Sequence, residues 1–333
     1  MNNTNETVAE DVFELERVSR QLRLPGLDQQ RLASARVVVI GAGGLGCPVL
    51  QALAAAGVRH LTVIDDDVVS ISNLQRQFLY GASDVGKSKV AVAAEKLSNM
   101  QPGIKVDCHR VRLDATNALQ LLDGHDVIVD CTDLFTSKYL IADAAEILRI
   151  PLVWGTVLAY EGSVAVFDTE VVGLRDLYPT APDHLPTCAE AGVLGATTAV
   201  VGSLMASEAI KICAGLPSAI GRLITYDALA ARFRNFALRR EPGRKRATDL
   251  SHHWVPDLLL DVREANEREA DIRFANSQHL PVGKQTEENI TTVCQRYQNK
   301  TIGVYCASGA RAAQFVATWS TFAARFGVSL VAI

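Results

Sequence analysis

The sequence predicts an α/β protein: a doubly wound, mainly parallel sheet with an antiparallel extension, followed by a smaller α/β unit. Three observations carry that prediction. Apolar strand-like runs alternate with helical stretches from Arg36 to Thr156. Further strand-like runs follow at Glu161 to Phe167, Arg222 to Tyr226 and Phe233 to Arg240 and suggest an antiparallel extension. A charged stretch with Pro and Gly, Glu241 to His253, then precedes a second strand–helix alternation. With 333 residues, 48% of them hydrophobic, the chain can bury one large core and one small one. The expected domains are 1–242 and 255–333, joined by a linker at 243–254.

Bulk properties narrow the function classes. A net charge of −4 gives no basic field for nucleic acid. No apolar run is expected to span a membrane, and Met1 to Glu10 has no signal-peptide core. Seven cysteines lie singly along the chain. That pattern fits reduced thiols in a cytoplasmic protein better than a disulfide framework.

In chain order, Asp11 to Leu24 reads as a helix stopped by Pro25, with Arg17 and Arg20 expected on its solvated face. A short amphipathic segment, Leu27 to Ser34, leads into Arg36-Val-Val-Val-Ile40, the first strand. Gly41, Gly43, Gly44 and Gly46 follow at once and open a helix. Such a turn lets backbone amides approach a polyphosphate at the helix N-terminus, a Rossmann-like arrangement. The next strand, His60 to Asp65, ends in an acid about twenty residues on, where a ribose hydroxyl would bind. The polar piece from Asp66 to Gln77, and the helix expected from Asp84 to Met100, supply Asn73, Gln75, Arg76 and Lys89. These are donors suited to phosphates and a leaving pyrophosphate.

Ile104 to Arg110 reads as a strand and Thr116 to Leu122 as a helix. The apolar run Asp126 to Asp133 is a buried strand, and Asp133 at its end is placed to hold Mg²⁺ on a triphosphate or to cap the next helix. Helix Ser137 to Leu148 and strand Pro151 to Thr156 continue the pattern. Pro179 to Gly195 is a long loop containing Cys188, with His184 and Glu190 nearby; the thiol reads equally as a nucleophile or as incidental. Ala196 to Ala214 is an apolar helix. Cys47, Cys108, Cys131, Cys213 and Cys294 read as small core residues.

The second unit begins with the strand Asp257 to Arg263 and continues through helix Glu287 to Gln298 and strand Thr301 to Tyr305. Cys306-Ala-Ser-Gly-Ala-Arg311 then opens a helix running to Phe326. A cysteine there meets backbone amides and a helix dipole, which should lower its pKa. Four residues separate Cys306 from Arg311, a loop that suits a persulfide better than the five-residue cradle of cysteine phosphatases.

Taken together, Arg17-x-x-Arg20-Gln21, the glycine turn, Asp65, Ser72 to Gln77, Val85-Gly-x-x-Lys89, Asp130-Cys-Thr-Asp133 and Cys188-x-x-Ala-Gly-Val193 resemble the MoeB/ThiF family of ubiquitin-activating-type adenylyltransferases. From about Val255, Asp261-Val-Arg263-Glu264 and the Cys306–Arg311 loop look like a rhodanese domain. The pairing is similar to fused adenylyltransferase–sulfurtransferases. The resemblance implies an ATP site from Gly41, Gly43, Gly44, Asp65, Ser72, Asn73, Leu74, Gln75, Arg76, Lys89, Asp133 and Leu134, with Mg²⁺ on Asp133. Arg20 would reach into the partner's site in a homodimer and act there with Arg76. The partner protein would be a ubiquitin-like sulfur carrier with a C-terminal Gly-Gly, adenylated and then sulfurated from a persulfide on Cys306, with Cys188 a candidate acyl carrier. A cysteine desulfurase or thiosulfate would donate the sulfur. The rival readings are a carrier-binding module with reduced sulfur transfer and a nicotinamide-dependent dehydrogenase.

This chain departs from the family pattern in three places. The family's two Cys-x-x-Cys pairs, which bind zinc, correspond to Gly173-Leu-Arg-Asp176 and to Gly243 to Ala247 after Arg239-Arg-Glu-Pro242; neither holds a thiolate, so no structural zinc is expected. Asp176 is left to pair with Arg239, Arg240 or Arg244 in a surface-type contact worth about 0–1 kcal/mol. Leu134 stands where the family has Asn. The rhodanese-like part is short, with Ile333 preceding the family's glycine-rich closing segment.

Overall fold

Strand β1 (Arg36–Ile40) has no polar face between Val37 and Ile40, and all four of these residues are buried. Such a strand belongs inside a sheet covered on both sides. It lies between β2 (His60–Ile64) and β4 (Val127–Asp130), parallel to both. β3 (Lys105–His109) pairs outside β2, and β5 (Leu152–Leu158) outside β4, also in parallel. β6 (Glu161–Phe167), β7 (Arg222–Asp227) and β8 (Arg232–Ala237) then add antiparallel strands, giving the order β3-β2-β1-β4-β5-β6-β7-β8. The computed structural model describes residues 13–180, 191–250, 253, 256–270, 274, 277–307 and 309–333.

The period of two along β1 sorts its side chains into two cores. Val37 and Val39 pack with helices Gly46–Ala56, Lys89–Met100 and Gly195–Cys213. Val38 and Ile40 pack with Ala118–Leu122 and Phe135–Leu148. The sheet is doubly wound, and the chain switches direction between β2 and β4, either side of β1. Ligands bind at that point in open α/β sheets.

Several expectations change in detail. Helix Gly195–Cys213 is long and apolar enough, by length and composition, to cross a membrane, against the sequence expectation. Here it lies in the first core, where Thr197, Thr198 and Glu208 are buried with Val201 and Met205. Cys108 is exposed rather than core, because β3 is an edge strand with alternate positions open to water. The N-terminal helix is shorter: among the described residues 13–17 are helical, and a 3₁₀ turn, Gln21–Arg23, follows.

Arg17 is not on a solvated face. It donates to the Ala55 carbonyl, and Gln21 Nε2 donates to the Ala56 carbonyl at 2.8 Å. Gln29 Nε2 reaches the same Ala56 oxygen at 3.0 Å. The helix after the glycine turn thus has its last carbonyls satisfied from outside, each bond worth about 0.5–1.5 kcal/mol net.

The chain divides into two compact units, Met1–His252 and His253–Ile333. The second holds a four-stranded parallel sheet ordered β10-β9-β11-β12, from β9 (Leu258–Asp261), β10 (Gln278–His279), β11 (Thr301–Tyr305) and β12 (Ser329–Ala332). Helices Glu287–Arg296 and Ala310–Ala323 pack with it around Leu260, Ile290, Val304 and Phe315.

Candidate functional site

At the C-terminal end of β1 the backbone turns at Gly41, with φ +91°, and Gly41 N donates to Ile64 O at 2.9 Å. A side chain at Gly41 would strike the Cys131 carbonyl, and one at Gly46 would strike Gly41 itself. Both glycines are therefore set by backbone approach, which brings the turn against the end of β4. Gly44 is packed by side chains: a methyl there would stand 3.2 Å from Thr198 Cγ2 and 3.5 Å from Arg76 Cδ. Gly43 has more room, with Gln77 Nε2 as its nearest neighbour at 3.6 Å.

Asp65, just past β2, is tied into the turn. Its carboxylate accepts Ala42 N at 2.7 Å and Asp67 N at 2.8 Å. Burial pushes its pKa up, and Lys89 only partly opposes that. Asp66 is pushed up to about 6 by burial and by its acidic neighbours Asp67 and Asp65. Lys89 Nζ lies 2.8 Å from Asp67 Oδ2. Burial works against the lysine's charge, but Asp65 and Asp67 outweigh it and its pKa rises. The result is a buried, charged ammonium held beside the glycine turn.

The segment from Ser70 to Gln77 is folded on itself. Asn73 Oδ1 accepts Ser70 N at 3.1 Å, Ser72 Oγ lies 3.0 Å from Ser70 Oγ, and Arg76 Nη1 donates to Ser72 O at 3.0 Å. Leu74 packs on the core while Gln75 is exposed. The start of helix Gly195–Cys213 closes over this segment, for a Cβ on Gly195 would strike the Gln75 carbonyl. Buried nearby, Gln77 Oε1 and Thr197 Oγ1 have no hydrogen-bond partner among the described residues. A closely approachable turn with an unpaired hydroxyl donor, Thr197 Oγ1, beside it fits a polyphosphate ligand.

Asp133 stands exposed three residues beyond β4 and makes no hydrogen bond or ion pair with the described residues. A single open carboxylate fits Mg²⁺, which binds through one or two carboxylates plus substrate phosphates. Leu134 is the N-cap of helix Phe135–Leu148 and is 39% exposed. Beneath them lies a pair absent from the sequence reading: Lys138 Nζ is 3.4 Å from Asp130 Oδ2, and both side chains are fully buried. Lys138 also donates to Gly155 O at 2.7 Å, and Asp130 Oδ1 accepts Thr132 N and Oγ1 at 2.9 and 2.7 Å. The Cys131–Asp133 loop is thereby fixed from below. Arg20 is exposed. Cys188, with His184 and Glu190, lies outside the described residues.

In the second unit, Cys306 follows β11 and is 2% exposed. Its sulfur accepts the Gly309 N–H at 3.1 Å, the amide contact expected of a loop opening a helix. Arg311 closes the loop by a two-pronged contact to Glu267, 2.6 Å on each prong. On the other side, Asp261 accepts Arg263 Nε and Nη2 at 3.0 and 2.9 Å, and Tyr305 Oη lies 3.0 Å from it. Burial alone would raise the Asp261 pKa; the Arg263 guanidinium brings it down.

Arg311 lowers Glu267 to about 2, against about 4.3 for an unperturbed glutamate. A depressed carboxylate stabilises the fold fully above its unfolded pKa and loses that contribution as pH falls through its folded pKa. Melting temperature is therefore expected to decline between about pH 4.3 and about pH 2. Glu267→Gln should melt lower at neutral pH and show a shallower decline in that window. Parallel acid melts of the two proteins check this.

Residues 18–246 match the ThiF family and residues 245–333 the rhodanese-like domain. The chain is 37% identical over 346 residues to a probable adenylyltransferase/sulfurtransferase MoeZ of Mycobacterium tuberculosis, covering 91% of this chain and 88% of the relative. It is 46% identical over 241 residues to a sulfur carrier protein adenylyltransferase of Thermus thermophilus, covering 69% and 89%. Among solved structures, Escherichia coli MccB with MccA-N7isoASN superposes with a TM-score of 0.63 at 19% identity, over 71% of this chain and 75% of that one. That last likeness concerns the fold.

Proposed function

The chain belongs to the ThiF family and carries a rhodanese-like domain, and from that premise we propose that it activates a ubiquitin-like sulfur carrier with ATP and then supplies its sulfur. One observation carries the reading. The glycine turn, Asp65, Lys89 and Arg76 converge at the carboxyl ends of β1 and β2, and the loop bearing Asp133 abuts the same turn.

Gly41 to Gly46 would receive the phosphates and Asp65 the ribose. The carrier's terminal glycine carboxylate would attack the α-phosphorus, and pyrophosphate would leave. Two anions meet in that step, so Arg76 and Lys89, with Arg20 of a second copy, would neutralise charge as the bond forms. Asp133 would hold Mg²⁺, which supplies further neutralisation when bound.

The acyl-adenylate then needs a sulfur nucleophile. Cys306 would carry it as a persulfide, its sulfur held by the Gly309 amide, and the terminal sulfur would attack the acyl carbon and expel AMP. The resulting acyl disulfide must be reduced by a thiol, which forms a disulfide with Cys306 and frees the thiocarboxylate. Cys188 is the alternative acyl carrier. A second thiol would free Cys306 from that disulfide, and the donor, a cysteine desulfurase or thiosulfate, would then recharge it as a persulfide.

Intact-mass analysis of a Gly-Gly-ended carrier tests the proposal, after incubation with the chain, ATP, Mg²⁺, a persulfide donor and a thiol. Replacement of one carboxyl oxygen by sulfur is expected. An unchanged mass across all cognate carriers would refute it.

A further inference from the structure

We infer that a buried clasp centred on Arg244 ties the segment after β6 to the segment after β8, and that it takes the place of the family's zinc. The Asp176 carboxylate accepts Gly173 N at 2.7 Å, Glu241 N at 3.0 Å, and Arg244 Nε and Nη2 at 2.7 and 3.0 Å. Glu146, on helix Phe135–Leu148, accepts Arg244 Nη2 and Nη1 at 2.6 and 3.2 Å and Ala247 N at 3.1 Å. One guanidinium thus bridges two carboxylates, and each carboxylate also holds backbone amides from the segments being joined.

The donor set does not fit zinc. A structural site needs four thiolate, imidazole or carboxylate ligands in a tetrahedron. Here the carboxylate oxygens are already filled by N–H groups, and a cation stands at the centre. Among the described residues no group of three or more His, Cys, Asp or Glu could hold a metal.

Nor is the clasp the surface contact that sequence alone suggests. Side-chain exposure is 0% for Asp176, 7% for Glu146 and 11% for Arg244, so water screens little of the attraction. Gly173 gives independent support. Its backbone is extended, so conformation does not demand glycine. Space does: a Cβ there would strike Glu146 Oε1 and come within 2.8 Å of Arg244 Nη2. A side chain at Gly173 would therefore have to push aside the ends of Glu146 and Arg244, the two groups the clasp is made from.

Its neighbours extend the same join. Arg175 grips Asp143 one helical turn from Glu146, at 2.8 and 2.6 Å, and Arg246 grips Glu170 at 3.0 Å on both prongs. The stretch 241–247, expected to open a linker, is in this way fastened to the first unit.

The test uses the full chain, purified with and without a strong chelator, and follows melting temperature, zinc content and limited proteolysis. The wild type should melt at the same temperature in both preparations, with zinc far below one equivalent. Gly173→Ala, which has only to push side-chain ends aside, should lower the melting temperature by about 2–4 °C and Arg244→Met by on the order of 10 °C, and both should admit protease between Arg239 and Ala247. Arg244→Lys should fall between, since an ammonium cannot span both carboxylates as a planar fork does. Arg239→Ala, at an exposed neighbour, should melt as wild type. If the variants do not fold, the chelator comparison on the wild type decides. Stoichiometric zinc with melting lost on chelation would overturn the inference, as would Gly173→Ala and Arg244→Met proteins that melt like the wild type.

Discussion

Asp133→Ala should lower carrier-dependent exchange of pyrophosphate into ATP by about 10²–10³-fold, the loss seen when one preorganised electrostatic group is removed from a charged transition state. The side chain is exposed and bonds to no described residue, so its removal should shift the melting temperature by only about 1–2 °C. That separation makes the variant informative. The loop is held by Asp130, Thr132 and Lys138 rather than by Asp133, so an inactive Asp133→Ala protein is still a folded one. Raising Mg²⁺ should recover part of the rate if the carboxylate anchors the ion. Full activity at ordinary Mg²⁺ would remove Asp133 from the site.

Cys306→Ala should leave pyrophosphate exchange at the wild-type rate and abolish thiocarboxylate formation. In the proposed mechanism the two steps would use different compact units, and the second would need only the sulfur atom of Cys306. Cys306 is nearly buried with its sulfur on the Gly309 amide, so alanine deletes the reacting atom without adding bulk. The measurement pairs an exchange assay with intact-mass analysis of the carrier. If the variant still makes thiocarboxylate from a physiological donor, the second unit is not the sulfur source, and Cys188 becomes the residue to replace next.

Elements governed by local pattern were legible in the sequence. The Val37–Ile40 run, the glycine turn and the acids after β2 and β4 are set by burial on both faces and by backbone approach, and both constraints leave a residue signature. The antiparallel extension was legible where β5 turns directly into β6 and β7 into β8, while helix Gly195–Cys213 stands between β6 and β7. Interactions at a distance were not. Nothing near Arg17 announces that it will meet a carbonyl 38 residues away, and a period count places it on a solvated face. Lys138 heads the stripe Ile141, Ala142 and Ala145 at helical spacing, which was a usable signal that its ammonium would need a buried partner. Asp67 reads as loop in the sequence, yet it holds Lys89. From the sequence, Arg244 is one of three arginines that could pair with Asp176. The clasp's strength comes from Glu146, whose contribution depends on packing between segments 98 residues apart.

If this chain joins the AMP moiety of ATP to the C-terminus of a sulfur carrier, labelled pyrophosphate should exchange into ATP. That exchange should require both Mg²⁺ and a Gly-Gly-ended carrier and should stop when the carrier's last glycine is removed. No exchange with any cognate carrier, or exchange that proceeds equally without one, would contradict it.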